Sequence, residues 1–348
     1  MESFLIFVKP QTYSPLVVPH ILSMLSRSNR SSKGSSVRVV EHSRVSGRDM
    51  VDRNIIPLQY PDAHKYALEY NPYLLQLTGE EEERLRTIFK GSSWSHVLQS
   101  DLLFNCAEAC AHLREDAAVM YDLWERALMK IKLRKGLFLA RIDADCSSVP
   151  RIRAKLPSGG FYVINGFYSY LLDSYRSMHT RQQQQQQQQQ EGRLEGEGEA
   201  YTDYFICEFN SQETSWSQVL KEVVGVVAAD PGHVRTRMPP LSTLQGSIMQ
   251  GWEDLGLQSS VNIASMGNCL HVSSSAFEGM ADRLRWKRHA MLFTDVLGSK
   301  LLAARFKTAQ IKDWMDNPEV DGRPLFSCLH GLDSNECIEY LSNLAKKR

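Results

Sequence analysis

A chain of 348 residues is longer than one ordinary domain of about 100 to 200 residues requires, so more than one folded unit is expected. Forty basic against forty acidic residues give a formal net charge of zero, which argues against a non-specific nucleic-acid surface and a polybasic membrane anchor. Seven cysteines, at positions 106, 110, 146, 207, 269, 328 and 337, form no Cys-x-x-Cys pair and sum to an odd number, as suits reduced thiols in the cytosol.

No run approaches about eighteen uninterrupted apolar residues, so no membrane span is expected. Met1-Glu2-Ser3 carries no basic region and the first apolar run stops at Lys9, too short for a signal peptide. A cytoplasmic location follows as the expectation.

In chain order, Phe4 to Val8 reads as a buried central strand with a sharp exit at Lys9-Pro10. Val17, Val18, Ile21, Leu22 and Leu25 recur at helical spacing, and a serine-rich break, Ser26 to Ser36, follows as a loop. Val37 to Val45 favours a strand, and Ser46 with Asp49 three residues on starts the next helix. From Asp62 to Lys135 the periodicity turns helical, over Glu80 to Phe89, Trp94 to Phe104 and Ala107 to Ile131, as in an inserted helical subdomain. Within it Cys106 and Cys110 lie one turn apart with His112 nearby. A buried helix face outweighs a metal site there.

Gly136 to Asp143 can return the chain to the sheet as a strand or equally belong to the insertion. Nine glutamines, Gln182 to Gln190, and the Glu-Gly repeat after them cannot bury enough apolar surface to fold, so 180–200 is expected to be a disordered loop. Tyr201 to Phe209 reads as a strand and Trp216 to Val226 as a helix. The segment Asn268-Cys269-Leu270-His271-Val272-Ser273 precedes a helical run closing on Trp286, and helical periodicity resumes over Met291 to Phe306 and Ser334 to Leu344. A positioned histidine with a hydroxyl beside it can carry a phosphoryl group near pH 7, because its imidazole is nucleophilic when neutral. No Gly-x-x-x-x-Gly-Lys-[Ser/Thr] loop occurs, and no protein-kinase motif set.

The order Phe4 to Pro10, Phe161 to Tyr168, Trp216 to Gly225, Ala228-Ala229-Asp230-Pro231 and Asn268 to Ser273, with fifteen positions from His271 to Trp286, resembles the nucleoside diphosphate kinase family. The resemblance covers about residues 1 to 60 and 155 to 287. It implies an α+β fold, a ferredoxin-like antiparallel sheet with covering helices, interrupted by a mostly helical insertion. The expected segments are 1–61 and 151–287 for the core, 62–150 for the insertion and 288–348 for a helical extension.

The resemblance further implies that His271 becomes phosphorylated, that Lys9 touches the transferred phosphate, and that Asn268 contacts the sugar. It makes Phe167 the aromatic that stacks on the base and Tyr162 the tyrosine beside the histidine. Ser273 and Asp282 fall where a serine and a glutamate hold the histidine region. A carboxylate on one ring nitrogen fixes the tautomer and leaves the other to attack. Asp282 is one methylene shorter than glutamate. Gln245 stands where an arginine would bind phosphate, Ala229 where a threonine would, and Lys221 where another arginine would; Arg235 and Arg237 are candidate substitutes. The implied ligands are ATP with Mg2+ and nucleoside diphosphates, with a homo-oligomer, no nucleic acid and no membrane among the partners. The alternative is a catalytically weak or inactive nucleotide-binding protein acting through partners, favoured by Gln245 and Ala229.

Overall fold

The computed structural model describes residues 1–9, 12, 14–28, 36–134, 136–175, 201–226, 238–257 and 269–347. The expectations for the loop at 180–200 and for Pro10, Ala229, Asp230, Pro231, Arg235, Arg237 and Asn268 lie outside these residues, as does most of the serine-rich break. The fold is α+β. In chain order the strands are β1 (Glu2–Val8), β2 (Val37–Ser46), β3 (Leu103–Asn105), β4 (Met129–Arg134), β5 (Leu137–Ile142), β6 (Phe161–Ile164), β7 (Tyr201–Phe209), β8 (Leu270–Val272), β9 (Glu319–Val320) and β10 (Arg323–Pro324). The described residues of 1–59, 178–227 and 237–348 make one compact unit, and those of 60–177 belong to a second. No helix among the described residues is long and apolar enough to cross a membrane.

The first unit is built on a four-stranded sheet of order β2-β7-β1-β8, antiparallel at every contact. β1 is paired on both edges and every residue in it is buried, which is why its sequence is a near-continuous apolar run. β2 lies at the end of the strand order and alternates half-buried with exposed residues over most of its length instead. The helix Val17–Ser28 lays Val17, Ile21 and Leu25 into the core that also holds Phe4, Ile6 and Val8. Ser46 caps the helix Gly47–Asp52 by accepting the Asp49 N–H at 3.1 Å, as its sequence predicts.

Trp216–Gln218 opens a helix that widens into π-type turns over Val219–Val224 and stops at Gly225, whose φ is 86°. A Cβ at Gly225 would lie 2.2 Å from Thr243 Oγ1, so glycine is needed for this close approach as well as for its backbone angle. The carboxyl-terminal segment is an integral part of this unit. Leu301, Trp314, Phe326 and Leu341 enter its core, and the buried Glu2 carboxylate accepts the Ser334 N–H (3.2 Å) and hydroxyl (2.7 Å) at the start of the helix Ser334–Lys347.

The second unit is mostly helical, as expected of the insertion, and it also holds a sheet. It runs from 60 to 177 rather than from 62 to 150, and it contains a sheet of order β3-β6-β5-β4 in which β3 and β6 are parallel and the other pairs antiparallel. The helix expected over Ala107 to Ile131 ends at Leu113, where Arg114 turns left-handed (φ 53°), and restarts at Ala117 behind the Asp116 cap. Met129–Arg134 then alternates with period two and becomes β4. The segment Phe161 to Tyr168 supplies β6, because all four residues Phe161–Ile164 are buried between paired strands. Tyr162 and Phe167 are therefore core residues of the second unit. Tyr162 packs against Phe89, and Phe167 against Trp124 and Phe138.

Candidate functional site

His271 is the middle residue of β8 and lies directly across from Phe7 of β1. The two rings stack with centroids 4.7 Å apart, and Phe7 also stacks with Trp286 at 4.2 Å. Two residues on, Ser273 extends the ladder: its N–H donates to Leu5 O (3.1 Å) and its Oγ accepts the Leu5 N–H (3.0 Å). The strand edge thus sets the height of both side chains.

The third partner comes from the helix Ala276–Trp286, capped by Ser275. Gly279 lets this helix rest on β1, since a Cβ there would sit 2.6 Å from Ser3 O. One turn later Asp282 is fully buried and aimed at the sheet edge. Its Oδ2 accepts the Ser273 hydroxyl at 2.7 Å and lies 3.0 Å from His271 Nε2. The shorter side chain therefore reaches both groups. At the far end of the helix, Arg53 donates to the carbonyls of Arg285 and Trp286, satisfying a helix terminus with a cation.

A fourth member is Gln59, the last residue of the short helix Ile55–Gln59 and itself buried. Its Oε1 accepts the Trp286 indole N–H at 2.8 Å, and because an indole nitrogen only donates, this contact fixes which way the amide faces. The amide nitrogen then donates to Asp282 Oδ1 at 2.7 Å and stands 3.1 Å from His271 Nε2. Three donors converge on one buried carboxylate, the condition under which such a group is tolerated in an apolar interior. Arg285 adds a long-range charge. Its Nη1 lies 3.9 Å from Asp282 Oδ1, an ion pair too long for a hydrogen bond, which agrees with that nitrogen having no hydrogen-bond partner. Burial holds the Arg285 guanidinium below its ordinary value, with Asp282, Glu278 and Asp316 pulling the other way.

The arrangement selects a tautomer. With Nε2–H donating to Asp282, the imidazole lone pair is on Nδ1. The His271 side chain is 10 % exposed and that of Asp282 is 0 %, so solvent reaches the ring but not the group that orients it.

Lys9 follows β1 by one residue, and its backbone N–H continues the β1–β8 ladder onto Cys269 O at 3.2 Å. It is buried, and its charge bears on the Cys269 thiol, which burial pushes up to about 12 against that pull. Cys269 Sγ in turn donates to the carbonyl of Gln245 at 3.7 Å, on the helix Leu244–Gln250. Lys9, Ser273, His271, Asp282 and Gln245 thus belong to one unit, and Lys221 is exposed on another helical segment of it. Tyr162 and Phe167 belong to the second unit, where Phe167 packs against Trp124 and Phe138. Cys106, Cys110 and His112 gather no metal site: no group of three His, Cys, Asp or Glu side chains suited to a metal occurs among the described residues, and His112 stacks on Phe104 instead.

Sequence reasoning passed over Gln59, Arg285 and Phe7. The available signal for Gln59 was a lone polar residue closing the run Ile55-Ile56-Pro57-Leu58, and for Arg285 a charge between two positions already marked, Asp282 and Trp286. No family model, curated protein or solved structure matches the chain.

Proposed function

We propose that the first unit is a phosphotransferase of the nucleoside diphosphate kinase type, moving the γ-phosphate of ATP to a nucleoside diphosphate through a phosphohistidine at His271. The observation that carries this reading is the Ser273–Asp282–His271 arrangement, in which a buried carboxylate orients a partly exposed imidazole with its lone pair on Nδ1. The strand order β2-β7-β1-β8 supports it. With a helix after β1 and helices between β7 and β8, that order is compatible with a ferredoxin-like β-α-β-β-α-β arrangement interrupted after β2.

In this reading His271 Nδ1 attacks the γ-phosphorus. The P–N bond forms as the bond to the bridging oxygen breaks, and that oxygen leaves on ADP with the electron pair. The ring gains a positive charge while Nε2–H stays on Asp282, whose carboxylate offsets it. The terminal oxygen of the incoming diphosphate then takes the phosphoryl group, and the P–N electron pair returns to Nδ1. Lys9 supplies positive charge at the end of β1.

Magnesium would enter on the nucleotide and neutralise phosphate charge there. The buried carboxylate Asp282 already receives Ser273, His271 and Gln59, so the described residues of this site fit the ion as part of the nucleotide.

The alternative, a nucleotide-binding protein with weak or lost chemistry, is favoured by two observations. Tyr162 and Phe167 are buried in the second unit's core, and Gln245 replaces a cationic fork with neutral donors. The test is transfer from γ-labelled ATP with magnesium to the full chain. Acid-labile, base-stable label that chases onto GDP and vanishes in His271→Ala is the expected result. Nucleotide-dependent thermal stabilisation without label supports the alternative, and neither signal overturns both.

A further inference from the structure

The His271 ring has two rival partners on the same nitrogen. Asp282 Oδ2 lies 3.0 Å from Nε2 and can only accept; the Gln59 amide nitrogen lies 3.1 Å from Nε2 and can only donate. A neutral Nε2 cannot satisfy both, because it either carries a hydrogen or offers a lone pair. The usual escape, turning the amide so that its oxygen faces the ring, is closed by the Trp286 indole, which requires that oxygen at 2.8 Å. It would also face an oxygen toward Asp282 Oδ1, where an N–H now donates at 2.7 Å.

We infer that Gln59 is a positioning residue that sets the tautomer balance of His271: one amide hydrogen braces Asp282, and the other stabilises the ring form whose Nε2 is bare and whose proton is on Nδ1. The charged Asp282 contact is the stronger, since hydrogen bonds to an ionised acceptor are roughly twice as strong as neutral ones. The Nε2–H form therefore predominates, and Gln59 maintains a standing minority of the other. The assignment concerns the ring and does not depend on what the ring reacts with. Under the reading above it has a consequence, because the minority form has no lone pair at Nδ1 and cannot attack.

The experiment is nitrogen NMR of the full chain labelled with 15N-histidine at about pH 8, above the ordinary histidine range. The His271 signals are identified by their loss in His271→Ala, and the shifts of its two ring nitrogens report the tautomer ratio without any nucleotide. Gln59→Met, which keeps length but removes the amide, should raise the Nε2–H to Nδ1–H ratio by about twofold to tenfold, the range one neutral hydrogen bond commands. Asp282→Asn should move the ratio in the opposite direction. If Gln59→Met leaves the ratio unchanged while thermal unfolding remains cooperative, Gln59 is a packing residue and the inference falls. Should Gln59→Met fail to fold, Gln59→Leu, which also removes the amide, decides, and an unmoved ratio there likewise overturns the inference. Failure of γ-phosphate labelling would leave these shifts untouched, so the two readings fail separately.

Discussion

Each unit buries a polar network, and the two are wired differently. In the second unit Asn165 is fully buried in a left-handed conformation (φ 50°), and every group it offers meets backbone. Its Oδ1 accepts the Phe138 N–H at 2.9 Å, its Nδ2 donates to Ala63 O at 3.2 Å and Gly136 O at 2.8 Å, and its own N–H donates to Phe138 O at 3.0 Å. Donors and acceptors match with nothing left over. In the first unit the Gln59–Asp282–His271–Ser273 network runs side chain to side chain, and one nitrogen has more partners than it can serve. A closed set of bonds to backbone specifies one structure; an oversubscribed set of side chains leaves a proton free to choose, which a fold alone does not need.

The sharpest way to break this contrast is Asn165→Ala. It strands the Phe138 N–H and the carbonyls of Ala63 and Gly136 in the core and puts a Cβ residue without a stabilising side chain at positive φ, so a loss of at least about 3 kcal/mol is expected in urea unfolding. A loss below about 1 kcal/mol would mean that the network is ornamental. Asp282→Asn comes next. It replaces the acceptor on which three donors converge, and with the ring tautomer reversed the rate of phosphohistidine labelling should drop at least a hundredfold, on the order of the losses seen when a histidine loses its orienting carboxylate. Labelling at the wild-type rate would remove Asp282 from the chemistry and leave it a purely structural acid.

The smallest effect separates the units by their thiols. In the second unit a hydrogen bond from the Cys110 thiol, opposed by burial, brings Cys106 down to about 7. In the first unit burial pushes Cys269 and Cys337 up to about 12. A depressed thiol adds stability that is complete above its unfolded value, near 9, and is lost as pH falls through about 7. A raised thiol subtracts stability once pH climbs past 9. Urea midpoints measured between pH 7 and 9 should therefore rise in the wild type relative to Cys106→Ala, and parallel curves for the two proteins would refute the assignment.

Local pattern revealed the elements whose neighbours leave a periodic trace. β7 is read over its full span, β1 and β2 are read to within two residues, and the Ser46 cap is where spacing requires it. In the mostly helical second unit the strands escaped notice because they are short. The three residues of β3 show no period, and β4 follows a helix with apolar residues that continue the same spacing. His271, Ser273 and Asp282 lie within one short stretch and could be recognised together. Gln59 could not, since its bond to the ring spans 212 positions and nothing local marks a glutamine for burial. The burial of Phe167 was not legible either, since an exposed stacking platform and a core aromatic look alike in sequence.

The sheet order carries a consequence for how the chain is made. β7 is the strand that joins β1 to β2, yet the whole of the second unit's sheet is synthesised between β2 and β7. At about 5 to 20 residues per second on the ribosome, the two leading strands wait on the order of ten seconds for the partner that covers their edges. During that interval β3 to β6 can already pair, so the later-made unit is poised to fold first, and the apolar face of β1 is the part of the nascent chain most in need of shielding.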